Sequence, residues 1–418
     1  MFIIEDNQVF VPSGQYESQG RTVFVHEDTR FPIPPAPVVW IENERIQLSA
    51  EKPQGFAIGT RLAGPTAWDI NALGALIPHT LTVRKSPAGE VLELGQDYLL
   101  APEHALLGIG PESCVTPAEC VYATYAYSLM RLDSVYADTA GNIGYTPGIP
   151  HITTPHPPHI PETSVRLANV FLPYQTANLA SEHVYSLLAA GDDTPTATMA
   201  GAVPRTLQKL RSGDRVVIVC WGDSVTAGGN ASDSRYRDVD VFTSGLRHMF
   251  PQTEIEVHNV SVGGSCSANW LYPELYPFAM PERQRELDFE RIIALRPDLV
   301  TQEFVNDTGL GPEMWKKAYQ DIRQRLAQIG AEWMLITPHF THPGWMGIDM
   351  RGTENRAYVQ FIKDFAAAHG IALADASARW AHLWQEGLPY LTLLHNSVNH
   401  PDNRGHRLFA EEMWKCFK

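Results

Sequence analysis

The carboxy-terminal half of the chain alternates short apolar runs with amphipathic segments, and this alternation restricts the fold more than any other feature. A continuous apolar run at 216–220 is followed by a segment with helical spacing at 240–250 and then by a strand-like run at 254–262. Apolar strands that alternate with helices are typical of a parallel sheet covered on both faces, because crossover connections carry helices across it. The sequence therefore predicts a doubly wound α/β domain.

The same alternation continues to the end of the chain. In the helix that Pro312 begins, Trp315, Tyr319 and Ile322 recur at the spacing of one buried face, and Gly330 stands where helices commonly end. Five strands are thus expected in this domain. The later elements are predicted at 289–295 (helix), 299–305 (strand), 312–330 (helix), 332–337 (strand), 355–369 (helix), 371–374 (strand) and 404–417 (helix).

The first 175 residues follow a different pattern, with short β-type runs separated by turn residues. The run at 121–127 is rich in residues that favour strands, and Ser-Pro-Ala-Gly at 86–89 resembles a hairpin turn between two such runs. Several strands at this spacing predict a β-rich domain that is sandwich-like or jelly-roll-like. We therefore predict a β-rich accessory domain at 1–175, a connecting segment at 176–210 and the α/β domain at 211–418.

Composition and charge narrow the function classes. The net charge of −15 argues against a nucleic-acid partner or an anionic membrane partner, since both would favour a basic face. No apolar run reaches the ~18–20 residues that a membrane span needs, and Glu5 and Asp6 interrupt the apolar start of the chain, unlike a signal peptide. Five cysteines without CxxC spacing favour reduced thiols over a disulfide framework or a zinc site. We expect a cytoplasmic protein without metal or cofactor, and its oligomeric state stays open.

Four polar motifs follow the predicted strands or precede the last helix. They are GDS at 222–224, NVSVGGS at 259–265, VND at 305–307 and NHP at 399–401. Ligands of doubly wound domains bind outside the carboxyl ends of the strands, so these motifs are expected to converge on one rim. A serine, a histidine and N–H donors form the set that acyl transfer requires: a nucleophile, a base and groups that bind the oxyanion.

These motifs resemble those of the SGNH or GDSL-type hydrolases, a family named for Ser, Gly, Asn and His in four sequence blocks. GDSVTAGG is similar to block one, NVSVGGS to block two, VND to block three and NHPDNRGHR to block five. The resemblance covers 211–418, about half of the chain. It implies a flavodoxin-like three-layer α/β/α fold, which agrees with the fold predicted from periodicity.

The resemblance also implies a role for each matching residue. Ser224 would be the nucleophile and His400 the general base. The backbone N–H of Gly264 and the side chain of Asn306 would bind the oxyanion, with Gly263 lying one register away from the glycine of block two.

Two positions depart from the family pattern. Phe304 stands where block three usually opens with glycine, and Ser397 stands where an aspartate usually precedes the histidine by three residues. Such a carboxylate orients the imidazole and stabilises its charged form. We therefore predict a Ser–His dyad whose third member is neutral, either Asn396 or a backbone carbonyl.

The predicted function is hydrolysis of short-chain acyl esters, with acetyl first, most naturally on a carbohydrate. The absence of a long apolar lid near the motifs argues against a lipase, and a β-rich domain beside such a hydrolase resembles the accessory modules of carbohydrate esterases. Trp221 and Trp345 are predicted to wall the substrate pocket. Two alternatives stay open: a catalytically impaired carbohydrate-binding or scaffold protein, for which Phe304 and the missing acid speak, and an acyltransferase that uses the same residues.

Overall fold

The structure, a computed structural model, describes residues 2–18, 20–187, 203–347, 349 and 351–417. They form two compact units. The first, called here the β unit, comprises the described residues up to 187 together with Leu383–Asn399. The second, called the α/β unit, comprises those from 203 to His382 and from His400 onward. The part of the predicted connecting segment at 188–202 lies outside the described residues.

The β unit is built from short strands that pair antiparallel in small sheets of two to four strands. This confirms the β-rich prediction, while the sandwich or jelly-roll arrangement stays a prediction. The strands described are β1 (Ile3–Glu5), β2 (Gln8–Val11), β3 (Gly14–Ser18), β4 (Arg21–Val25), β5 (Thr29–Pro32), β6 (Val38–Gln47), β7 (Thr60–Arg61), β8 (Thr66–Ala67), β9 (Ile70–Asn71), β10 (Leu76–Arg84), β11 (Tyr98–Ala101), β12 (Leu106–Ile109), β13 (Cys120–Ser128), β14 (Arg131–Ala137), β15 (Ile143–Thr146), β16 (Val165–Leu172) and β17 (Val184–Ser186).

Alternating side chains build the cores of this unit. On β13, Val121, Ala123 and Tyr125 point to the same face and are fully buried, as the two-residue period of a strand requires. They pack in one cluster with Ile46 of β6 and Leu76 of β10, the two strands that pair with β13. A second cluster gathers around β14 and β16.

The segment Leu383–Asn399 completes the β unit, although the sequence assigned it to the domain at 211–418. The Asn169 side chain on β16 donates to the Gly387 carbonyl at 2.7 Å, across a sequence separation of 218 residues. The Leu73 N–H donates to Ser397 Oγ at 2.9 Å, across 324 residues, and Val398 packs in a small cluster with Ile70 and Leu73. The segment follows no strand or helix period, so its partners were not legible from local sequence.

The α/β unit contains a parallel sheet of five strands in the order β19-β18-β20-β21-β22. Numbered within the sheet, this is the order 2-1-3-4-5 that defines flavodoxin-like folds. The predicted strands are confirmed, with ends that differ by one or two residues. Their bounds are β18 (Val216–Gly222), β19 (Ile255–Ser261), β20 (Leu299–Glu303), β21 (Glu332–Ile336) and β22 (Ala372–Ala374).

Helices cover both faces of this sheet, and β18 shows how. Ile218 and Cys220 join a cluster with Phe242 on one face, whereas Val219 and Trp221 join a cluster on the opposite face. The predicted three-layer fold is thereby confirmed. The helices described are α1 (Pro204–Ser212), α2 (Asp238–Met249), α3 (Ser267–Leu271), α4 (Phe289–Ala294), α5 (Pro312–Ile329), α6 (Pro343–Met346), α7 (Ala357–His369), α8 (Ala376–His382) and α9 (Asn403–Lys415).

Within the described part of the chain, no helix combines the length and the apolar character that crossing a lipid bilayer requires. The cytoplasmic location and the absence of a nucleic-acid partner stay predictions, and the oligomeric state stays open.

Candidate active site

Strand β18 delivers a serine to the carboxyl edge of the sheet. The strand is buried over its whole length, and the chain then turns so that Asp223 stays fully buried while Ser224 becomes partly exposed. The turn is held by backbone hydrogen bonds from Ala227 to the Asp223 carbonyl (3.0 Å) and from Gly229 to the Ser224 carbonyl (2.8 Å). The serine hydroxyl is thus fixed on a short, hydrogen-bonded loop.

His400, at the start of the segment that leads into α9, meets this serine. Its Nε2 lies 2.9 Å from Ser224 Oγ, and its Nδ1 is hydrogen-bonded to Oδ1 of Asn230. An amide oxygen only accepts hydrogen bonds, so Nδ1 carries the proton and Nε2 has its lone pair directed at the serine. This is the tautomer in which the imidazole acts as a base toward Oγ–H.

Close approach of His400 depends on a glycine in the serine loop. A Cβ added to Gly229 would lie 3.1 Å from His400 Cε1 and Nδ1 and 2.9 Å from the Ser224 carbonyl oxygen, too close for a larger residue. The Gly229 carbonyl also lies 3.1 Å from Nε2 of the buried His406, whose Nδ1 lies 3.1 Å from Asp238 Oδ1. His406 therefore joins α9 to the loop that holds the serine.

The glycine loop after β19 runs beside the serine. A Cβ added to Gly263 would lie 3.4 Å from Ser224 Cβ. The next residue, Gly264, is exposed and has φ +81°, a conformation that favours glycine. The peptide that carries the Gly264 N–H therefore begins at a residue packed against the nucleophile.

Asn306 follows β20 and contributes a side-chain amide to the same edge of the sheet. Its Nδ2 donates to the Ser265 carbonyl at 3.0 Å, which ties it to the glycine loop. An amide nitrogen has two N–H groups. One N–H is engaged by Ser265, and the other can be offered to a developing negative charge.

Asp223, next to the nucleophile in sequence, is buried and links two loops through hydrogen bonds. Its Oδ1 accepts from the Val225 N–H at 3.0 Å and its Oδ2 accepts from the Asn306 N–H at 3.3 Å. Burial raises the pKa of Asp223 to about 7. The sequence favoured a loop-stabilising role over a catalytic one for this residue, and these contacts are those of such a role.

Asp307 is a second buried carboxyl that links separate elements through hydrogen bonds. Its Oδ1 accepts from the Ser267 N–H at 2.7 Å and its Oδ2 accepts from the Tyr358 hydroxyl at 3.3 Å. Burial raises its pKa to about 7, and burial also raises the pKa of neighbouring Glu303 well above the usual range. Among the residues that the structure describes, no three His, Cys, Asp or Glu side chains are grouped as metal ligands.

The prediction that Trp221 walls the pocket is wrong. Its side chain is fully buried, and its ring makes edge-on contacts with Trp270, Phe289 and Phe304 at centroid distances of 5.8, 5.0 and 4.9 Å. Because side chains alternate between the two faces of a strand, the Trp221 side chain lies in the core against one face of the sheet and does not reach the carboxyl edge. Phe304, which stands where the family usually has glycine, belongs to the same core, so its ring fills space in the interior.

The group hydrogen-bonded to Nδ1 of His400 is the side chain of Asn230. The sequence analysis had predicted Asn396 or a backbone carbonyl for this role. Asn396 is buried in the β unit, where its Oδ1 accepts from the N–H groups of Val398 and Asn399. Asn230 lies six residues after the serine, has φ +65° and gave no signal beyond a polar residue after two glycines. Trp345, on the short helix α6, is half exposed, and its role as a pocket wall stays a prediction.

Comparison with protein families decides the class of this unit. Residues 220–408 match the model of the GDSL-like lipase/acylhydrolase family. The carboxy-terminal half is a GDSL-type hydrolase domain. The matched range contains all four motifs. Residues 108–187 match a domain family whose function is not known, DUF4815.

Solved structures were also compared. A two-domain esterase (CEX) active on acetylated mannans is 16% identical over 53% of this chain and 53% of its own, with a TM-score of 0.41. Axe2, an acetylxylan esterase from Geobacillus stearothermophilus, is 18% identical over 48% of this chain and 94% of its own, with a TM-score of 0.37. LAE5, an alpha/beta hydrolase from the metagenome of Lake Arreo, Spain, is 19% identical over 49% and 96%, with a TM-score of 0.36. The chain thus spans about half the length of the two-domain esterase, and no curated protein sequence matches it significantly.

Proposed function

We propose that the GDSL-type hydrolase domain is a serine esterase that removes short acyl groups, acetyl first, from carbohydrates. The observation that carries the proposal is the Ser224–His400–Asn230 chain of hydrogen bonds, with 2.9 Å between Oγ and Nε2. A catalytically impaired scaffold would not need this alignment. The base and the nucleophile are already within the distance at which a proton is transferred.

In the first half of the reaction, His400 Nε2 takes the Ser224 hydroxyl proton while Oγ attacks the acyl carbon. The C=O π bond opens, and the negative charge on its oxygen is met by the N–H groups of Gly264 and Ser224 and by the side chain of Asn306. When the tetrahedral intermediate collapses, the bond to the sugar oxygen breaks and that oxygen takes the proton from Nε2. The acyl group stays on Ser224.

In the second half, water replaces the sugar. His400 takes a proton from water, the resulting hydroxide attacks the acyl-serine, and the proton returns to Oγ as the carboxylic acid leaves. Throughout, Asn230 accepts from Nδ1–H and keeps the ring in one tautomer. Its amide is neutral, so it orients the imidazolium without the charge stabilisation that a carboxylate would add.

The carbohydrate part of the proposal rests on the domain organisation. A separate β-rich unit accompanies the hydrolase domain, as in carbohydrate esterases with accessory modules, and the motif loops carry no long apolar lid. Acetylated xylans and mannans, the substrates named for two of the compared enzymes, are the first sugar esters to try. An acceptor other than water would use the same residues.

The test compares wild-type protein with Ser224→Ala on p-nitrophenyl acetate and on acetylated xylo- and manno-oligosaccharides. Loss of the nucleophile should lower kcat by roughly 10⁴-fold or more and abolish labelling by a fluorophosphonate probe. Ser234→Ala, which removes an exposed hydroxyl ten residues further on, is the matched control and should label normally. Normal turnover or labelling by Ser224→Ala would rule out the mechanism, and an acetylated alcohol formed with added acceptor would indicate transfer.

A further inference from the structure

A second histidine lies behind the serine loop of the α/β unit, and the reaction proposed above leaves it without a role. His406, on α9, is fully buried. Its Nε2 lies 3.1 Å from the Gly229 carbonyl oxygen, which only accepts hydrogen bonds, so Nε2 carries a hydrogen and donates. Its Nδ1 lies 3.1 Å from Oδ1 of Asp238, a buried residue in the first turn of α2. The imidazole is therefore held between the serine loop and the start of a helix.

Helices α2 and α9 give His406 a fixed base. Phe242 of α2 and Met413 of α9 pack in the same core cluster, and the Trp414 indole N–H donates to the Phe242 carbonyl at 3.0 Å. A Cβ added to Gly245 would collide with the Trp414 ring, so the two helices are in close contact. A side chain is held most precisely when its support is itself packed and hydrogen-bonded.

The carbonyl that His406 holds belongs to the peptide bond between Gly229 and Asn230. Because a peptide bond is planar, fixing the Gly229 oxygen also fixes the direction in which the Asn230 Cα follows. On its other side, Gly229 donates its N–H to the Ser224 carbonyl at 2.8 Å. Gly229 thus links the nucleophile to the residue that is hydrogen-bonded to His400.

The placement of Asn230 depends on such support. Its φ of +65° lies in the left-handed region, which costs energy for a residue that has a Cβ. The side chain is buried, its Oδ1 accepts from Nδ1 of His400, and its Nδ2 has no hydrogen-bond partner among the residues that the structure describes. The amide is therefore not anchored through its nitrogen, and its orientation toward His400 follows from its backbone.

We propose that His406 is a positioning residue of the esterase reaction: by holding the Gly229–Asn230 peptide, it keeps the Asn230 oxygen on Nδ1–H of His400. This inference rests on the function proposed above, and all of its residues lie in the α/β unit. Loss of the contact leaves nucleophile and base in place but lets the base turn away from Ser224. It therefore lowers kcat and leaves KM little changed.

Two amide substitutions separate the two contacts of His406. In His406→Gln, the amide nitrogen can occupy the place of Nε2 and donate to the Gly229 carbonyl. The shorter side chain of His406→Asn reaches the place of Nδ1, beside Asp238, but not that of Nε2. We expect kcat on p-nitrophenyl acetate to stay within about 3-fold of wild type in His406→Gln and to fall roughly 10-fold in His406→Asn, with KM little changed in both. Equal kcat values for the two variants would overturn the proposal.

Asn403→Ala is the matched control, because Asn403 also ties α9 to the serine loop. Its side chain accepts from the Ser232 N–H at 2.9 Å and donates to the Ser232 hydroxyl at 2.8 Å, beyond the Gly229–Asn230 peptide. Its kcat should stay near wild type. A general structural effect of His406→Asn would be the same with or without Asn230, whereas positioning predicts less than about a 2-fold further loss in an Asn230→Ala background. The full loss in that background overturns the positioning role.

The tautomer of His400 is a measurement that needs no turnover. In ¹⁵N NMR spectra of histidine-labelled protein above the usual histidine pKa, wild type and His406→Gln should carry the proton of the neutral His400 ring on Nδ1. His406→Asn should show it shared between both nitrogens, and His400→Gln identifies the signal by its loss. The wild-type tautomer in His406→Asn, or an altered one in His406→Gln, overturns the positioning role whether or not the other variant folds. Failure of the wild type to hydrolyse any ester overturns the esterase function instead, and the tautomer still decides whether His406 places Asn230.

Discussion

The two units differ in how their sequences bring distant residues together. In the α/β unit, three loops of the candidate site directly follow strands of one parallel sheet, so the carboxyl edge collects Ser224, Gly264 and Asn306, whereas His400 precedes α9. The β unit is completed by Leu383–Asn399, which bonds to residues more than 200 positions earlier. Periodic architecture makes a site legible from sequence, whereas closure by an irregular segment does not.

The largest effect is expected from replacing Asn306, a residue of the α/β unit that the sequence analysis placed at the carboxyl end of a strand. Asn306→Ala removes the donor that we propose for the oxyanion and should lower kcat on p-nitrophenyl acetate by ~10²–10³-fold with little change in KM. Steady-state kinetics measure this. Asn259→Ala is the control: it removes another side-chain amide, which lies within β19 and donates to the Thr226 carbonyl at 2.7 Å, and it should retain far more activity. A kcat near wild type would remove Asn306 from the mechanism.

The next largest effect is expected from the buried carboxyl of Asp307, which should make the free energy of unfolding depend on pH. Its pKa is raised from the usual range to about 7, so its stabilising contribution is present below pH ~4 and is lost as the pH rises through about 7. Asp307→Asn retains an oxygen for the Ser267 N–H and an N–H for the Tyr358 hydroxyl. Between pH 5 and 8, the wild type should lose roughly 2–3 kcal/mol of unfolding free energy relative to the variant.

Urea unfolding of both proteins at pH 5, 6, 7 and 8 measures that difference. Parallel stability curves for wild type and Asp307→Asn would mean that the carboxyl is not neutral at low pH in the folded protein.

A smaller effect is expected from the orienting amide. Asn230→Ala removes the acceptor for Nδ1–H of His400 and should lower kcat by ~10²-fold or less, since nucleophile and base both remain. Asn230→Asp restores an acceptor and adds the charge that relatives with an acid possess, so it should recover activity. If alanine and aspartate have equal activity, another group orients the ring and the neutral triad is not needed.

The smallest effect should come from Ser397, which occupies the position of the family acid but bonds within the β unit. Ser397→Ala removes the acceptor for the Leu73 N–H and should cost about 1 kcal/mol of stability. Ser397→Gly also relieves the strain of φ +62° and should cost less. Turnover of p-nitrophenyl acetate should stay near wild type in both. A loss of kcat as large as that of Asn230→Ala would show that Ser397 acts on the histidine.

Sequence reasoning predicted the five strands of the α/β unit and helices α2, α4, α5, α7 and α9, because each rests on local periodicity and on helix-ending residues such as Gly330. It did not predict α1, α3, α6 and α8, three of which are shorter than eight residues. It also predicted which loops meet, because parallel strands share one edge. It missed Asn230, since the choice of partner for an imidazole is made by three-dimensional packing rather than by spacing. Trp221 was misjudged for a related reason: a residue just before a catalytic loop still alternates with its strand.

The late return of Leu383–Asn399 to the β unit has a consequence for how the protein is made. A ribosome delivers the amino end first, and most domains fold as they emerge. Here the first unit lacks the segment Leu383–Asn399 until the five-stranded sheet has been translated, so Gly387 and Ser397 reach Asn169 and Leu73 only after that point. Maturation of the amino-terminal half therefore waits for the carboxy-terminal half, and the two cannot be produced as independent fragments by a single cut between them.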